Sequence, residues 1–185
     1  MSIVTKIRES TGRIILKREA ARLIRERRIM NLGEAKRIGV LYYLTDEPTY
    51  RTISDYVKRL QDSGKMVKAL GYVESKRMTG QFLPKLSYDF LYPTGLSWNF
   101  KPVSHASKEF METDYDILID LSTSDYLPLL FITGLSKARF KAGMQSDIRA
   151  AYLDIMINLG EQDGLDELIK QIDHYLSIIN KKNES

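Results

Sequence analysis

The chain has 185 residues, 43% of them hydrophobic, and no cysteine. That is enough for one domain with a core of its own, and it excludes a disulfide framework, thiol catalysis and Cys-based metal sites. Net charge is +4, but it is divided unevenly: residues 1–37 carry eleven Lys or Arg against four Glu, a balance of +7, and residues 38–185 carry 17 basic and 20 acidic side chains, a balance of −3.

In chain order, residues 13–30 are predicted as a helix. Leu16, Ala20, Leu23 and Ile24 form a narrow apolar stripe, and Arg18, Arg22 and Arg25 lie nearly opposite it, flanked by Lys17 and Arg28. Gly12 is expected to interrupt any continuation back through Ile3, Val4 and Ile7, and Asn31-Leu32-Gly33 reads as a stop. Ile38–Leu44 is a continuous apolar run, as in a strand buried on both faces. Ile53, Tyr56, Val57 and Leu60 repeat at helical spacing, and Gly64 follows the last turn. Strands are predicted over Met66–Val73, Tyr88–Tyr92, Tyr115–Leu121, Arg139–Met144 and Tyr152–Leu159, with a loop over 74–87. Ser104 is placed to cap a helix running to Met111, Ser122–Asp125 lead into a helix around Leu127–Leu135, and Asp163 is placed to cap a final amphipathic helix from Leu165 to Ile179. Residues 181–185 read as a frayed tail.

Strands alternating with helices imply right-handed crossovers and a mainly parallel sheet. The expectation is therefore a basic helical arm over residues 1–34 and a Rossmann-like three-layer α/β domain of five or six strands over 35–180.

Two resemblances accompany this reading. Tyr115-Asp116-Ile117-Leu118-Ile119-Asp120-Leu121, a helix, and then Leu135-Ser136-Lys137-Ala138-Arg139-Phe140-Lys141-Ala142-Gly143 resemble the N-terminal half of bacterial heptosyltransferases. In that family a catalytic Asp follows the first strand, and Asp46 stands at the matching position. The resemblance implies a sugar-nucleotide site, although Tyr43-Leu44-Thr45 replaces the family's Gly-containing loop. The second resemblance runs nearly end to end. The basic leader, Ala35–Leu41, Val67–Val73, Asp116–Ser122 and His174-Tyr175-Leu176 look like an uncharacterised bacterial domain-of-unknown-function family, which implies a fold but no activity.

In open α/β sheets, ligands bind beyond the carboxyl ends of the strands. Asp46, Ser122, Thr123 and Ser124 are the candidate ligand-binding residues there. The three hydroxyls suit a phosphate at a helix start, or else Ser124 is simply the helix cap. Asp46 and Asp120, if they share a cleft, are the candidates for acid–base chemistry. The histidines, His105 and His174, have no second ligand at metal spacing, so no metal or cofactor is expected. Trp98 and Phe100 beside Lys101 either stack on bases or plug the core beneath a loop. The charge-rich arm, through Arg13, Lys17, Arg18, Arg22, Arg25 and Arg28, is expected to grip RNA or a ribosomal particle. Its apolar stripe can instead dock on the body or on a second copy, whereas a membrane surface fits less well. The reading is thus a cytoplasmic, non-enzymatic binding protein, with a glycosyltransferase-like sugar-nucleotide site as the alternative.

Overall fold

The computed structural model describes residues 2–74 and 86–179. Most of the expected 74–87 loop and the whole of the expected tail at 181–185 lie outside these residues. Six strands form one all-parallel sheet: β1 (Arg37–Tyr43), β2 (Met66–Tyr72), β3 (Tyr88–Leu91), β4 (Ile117–Asp120), β5 (Phe140–Met144) and β6 (Ile155–Ile157). The spatial order is β3-β2-β1-β4-β5-β6, so strand order reverses between β1 and β4. Among the described residues, five α-helices accompany it: α1 (Ile3–Arg22), α2 (Glu47–Asp62), α3 (His105–Glu112), α4 (Leu127–Leu135) and α5 (Leu165–Ile178). This is a Rossmann-like arrangement of three layers.

β1 and β4 are continuous apolar runs because both of their faces are covered. Ile38, Val40, Ile117 and Ile119 meet α2 and α5 through Ile53, Val57, Leu168 and Ile172. Leu41 and Leu118 meet α3 and α4 through Phe110, Leu129 and Ile132. α4 has no polar stripe, and Leu127 through Gly134 are all buried. The reason is α1, which lies against it and packs Leu16 on Leu127, Leu130 and Phe131.

α1 departs most from expectation. It begins at Ile3, capped by Ser2, runs straight through Gly12 and ends at Arg22. A methyl on Gly12 would lie 2.4 Å from the Asn99 carbonyl oxygen and 2.8 Å from Leu127 Cδ2, and one on Gly134 would lie 2.8 Å from Leu16 Cδ1. The two glycines let α1 sit close on α4 and the 96–102 loop, and that packing outweighs the roughly 1 kcal/mol helix penalty of glycine. After Arg22 the chain is not helical as far as Leu32, again against expectation. It forms a strap in which Arg28 N–H donates to the Arg139 carbonyl (3.2 Å) and Leu32 N–H to the Leu176 carbonyl (2.7 Å), with Met30 buried in the main core.

Smaller boundaries also shift. α4 is preceded by Tyr126 rather than capped by Ser124. α5 follows Gly164, while Asp163 accepts from Gly160 N–H. The expected strand at 152–159 shortens to three residues because Arg149–Ala151 form a 3-10 turn before it. Pairing with β5 is available only from Ile155 to Ile157.

Candidate nucleic-acid interface

The strand carboxyl ends present two aspartates in unlike roles. Asp46 caps α2, accepting from Thr49 N–H at 2.8 Å. Hydrogen bonds from Thr49 hold its carboxyl below the usual range, and it lies exposed. Asp120 is wholly buried. Its Oδ1 accepts from Ser122 N–H (3.0 Å) and Ser122 Oγ (2.5 Å), and its Oδ2 accepts from Thr133 Oγ1 (2.8 Å). The two carboxylates therefore do not face a common cleft.

Arg149 completes this network and was not recognised in the sequence. Its guanidinium is fully buried, 3.8 Å from Asp120 Oδ2. It donates to the Ser122 carbonyl (2.8 Å), to the Ser124 carbonyl and to Asp125 Oδ1 (2.8 Å). The loop after β4 thus turns carbonyls inward onto an internal cation. Ser122 is spent inside the protein, and only the side chains of Thr123 and Ser124 remain exposed. The Tyr43 and Tyr126 rings stack with centroids 3.9 Å apart where the loops after β1 and β4 part, and Tyr43 Oη donates to Glu74 (2.9 Å). The only sequence signal for the Arg149 network was an Arg within a polar connection, which looks like any surface residue.

The basic leader divides just as sharply. Arg25, placed in the candidate RNA-binding set by its spacing, leaves it. Its Nη2 binds both oxygens of Asp154 (2.6 and 2.7 Å), and its Nη1 donates to the carbonyls of Ala138 and Arg139, each at 3.0 Å. Its side chain is only 6% exposed. Arg13, Lys17, Arg18, Arg22 and Arg28 are all exposed and make no ion pair among the described residues. The buried face of α1 is marked by Gly12 and Leu16, so helical geometry sends Arg13 and Lys17 along one flank of the outer face and Arg18 and Arg22 along the other. Between the flanks lie exposed Ile3, Ile7 and Ile14. This outer apolar row was hidden by the expectation that the helix starts after Gly12. Arg13 and Lys17 also line a groove of about 490 Å³ between α1 and the 148–152 segment, with Leu130 and Tyr152 on its other wall.

The stripe expected to dock does so only in part. Leu16 is buried, Ala20 and Leu23 are half-buried, and Ile24 is 94% exposed because the chain has left helical geometry by then. Trp98 is 60% exposed and so is not a core plug, whereas Phe100 packs beside Leu16 and Leu127. Lys101 binds Glu19 at 2.7 Å. His105 and His174 are exposed, and among the described residues no three His, Cys, Asp or Glu are grouped as metal ligands. Nor is any described helix long and apolar enough to cross a membrane.

A sheet of this order, covered on both faces and fronted by a docked basic helix, defines a Rossmann-like α/β fold. Residues 8–179 match the family of unknown function DUF6913, and the chain belongs to that family. No curated protein and no solved structure matches it.

Proposed function

We propose that this is a non-enzymatic binding protein whose docked helix α1 contacts RNA through phosphates, on or near a ribosomal particle. The observation that carries the reading is the set Arg13, Lys17, Arg18 and Arg22. All four are exposed, without ion pairs among the described residues, on a helix whose opposite face is held by Leu16 and Gly12. By contrast Arg25 and Arg149 are satisfied internally, so the unpaired set on α1 fits an external anion. Guanidinium forks suit phosphate oxygens, and contacts of this kind carry no base specificity. The strand-end loops support a sugar-nucleotide site less well, because Asp120 and Ser122 are consumed by each other.

The test is binding of the full chain to labelled RNA across a salt series, alongside a variant carrying Arg13→Glu, Lys17→Glu, Arg18→Glu and Arg22→Glu. Four lost phosphate contacts should flatten the log–log salt slope by about 3 to 4 and abolish pelleting with ribosomes at low salt. A correctly folded variant that binds as tightly as the wild type ends the proposal.

A second reading, self-association, is favoured by Ile3, Ile7 and Ile14 on the outer face. It ranks below the first because pairing two such faces brings like-charged flanks together. Ile7→Asp should shift the mass measured by light scattering if copies pair there, and an unchanged monomer would remove this reading.

A further inference from the structure

The 96–102 loop is built to present one side chain. Leu96 and Pro102 form a β-bridge, Ser97 N–H donates to the Lys101 carbonyl (2.8 Å), and Phe100 N–H donates to the Ser97 carbonyl (3.0 Å). Phe100 sits at φ 64°, a conformation that bulky side chains rarely adopt and that neighbouring structure must enforce. That turn sends Asn99 and Phe100 inward. Asn99 is 5% exposed with its carbonyl oxygen against Gly12, and the Phe100 ring lies under the Arg8 guanidinium at 4.3 Å. Arg8 also donates through Nε to the Trp98 carbonyl. The backbone of Trp98 is therefore fastened to α1, while its indole faces outward with no ring partner among the described residues.

A rigidly mounted, exposed indole beside a helix with unpaired cations matches the two requirements for gripping single strands, a stacking surface and a positive track for the backbone. In a duplex the base faces are already stacked on one another, so this surface has a use only where bases are unpaired. We infer that Trp98 is a stacking platform for an unpaired base, so that the RNA engaged by α1 is single-stranded where it passes the 96–102 loop. This rests on the reading of α1 as the phosphate-contacting element. It adds a preference for strandedness that charge alone cannot create, because phosphates are displayed by single strands and duplexes alike.

The chain has one tryptophan, so its intrinsic fluorescence reports on this position alone. The full-length protein is titrated with a single-stranded oligouridylate, a duplex RNA of equal length and vesicles containing phosphatidylglycerol. The single strand should quench the emission and the duplex should not. Trp98→Ala should weaken single-strand binding by roughly 5- to 150-fold while leaving duplex binding and the salt slope unchanged, and Trp98→Phe should restore most of the loss. If Trp98→Ala binds both RNAs like the wild type, the platform is refuted while the α1 reading stands. If neither RNA binds the wild type, the α1 reading fails and the platform with it. A blue shift on vesicles without RNA binding assigns the surface to a lipid interface and overturns both.

Discussion

Arg149 and the arginines of α1 meet opposite fates in this protein. Around the carboxyl end of β4, Arg149 is enclosed and spends its donors on Ser122, Ser124 and Asp125. On the outer face of α1, Arg18 and Arg22 extend into solvent and make no ion pair among the described residues. The first arrangement rigidifies a loop that in other α/β proteins of this architecture is free to receive a ligand. The second leaves charge available to something outside the molecule. The same side chain is structural glue in one place and a contact surface in the other, and the difference lies only in whether the fold supplies acceptors.

This contrast can be broken most forcefully at Arg149. Arg149→Met leaves Asp120 buried without its cation and two loop carbonyls without a donor, which should cost about 3–5 kcal/mol. Urea denaturation should show that loss, and a change under 1 kcal/mol would mean that the network is dispensable. Asp154→Asn tests the strap, since it weakens the paired grip on Arg25 at a nearly enclosed site. A loss of about 1.5–3 kcal/mol is expected, together with faster hydrogen exchange at Arg28 N–H.

Lys141 sharpens the comparison by pH. Burial first, and then the charge of Arg25, pull its ammonium down to about 7. Between about pH 7 and 9 the unfolded chain therefore holds a proton that the native state has shed, so stability rises with pH by about 2 kcal/mol across that window. Below pH 7 both states are charged and the penalty is constant. Lys141→Met should abolish the slope when urea midpoints at the two pH values are compared, and an identical slope in the variant would assign it to other groups.

Asp46→Ala removes a helix cap and should cost about 1 kcal/mol, lowering the melting temperature by roughly 2–4 °C without altering RNA affinity. The smallest stability effect is expected for Arg18→Ala with Arg22→Ala, within about 0.5 kcal/mol, because neither side chain has a partner to lose. If that pair instead destabilises the fold as Arg149→Met does, the outer face is structural too and the comparison collapses.

The fold was more legible than the site. Ile38–Leu44 and Tyr115–Leu121 announce themselves because strands buried on both faces need unbroken apolar runs, and α2 and α5 because each covers one face of the sheet. α1 was misjudged at Gly12, where propensity argued for a break. The compensating contacts, Asn99 and Leu127, stand 87 and 115 positions away. Asp46 and Asp120 look interchangeable as acids at strand ends, and only tertiary packing makes one a solvent-facing cap and the other a sealed acceptor.

By itself, then, the order of apolar runs determined the layers, the parallel sheet and the concentration of positive charge in the leader, because hydrophobic periodicity and composition are local properties of the chain. What only the tertiary structure decided was which cations remain free. Arg22 and Arg25 are three residues apart and chemically identical, yet Asp154, 129 positions beyond Arg25, captures one and not the other. Pairing over such separations depends on where the folded backbone passes, and no pattern within the leader encodes it.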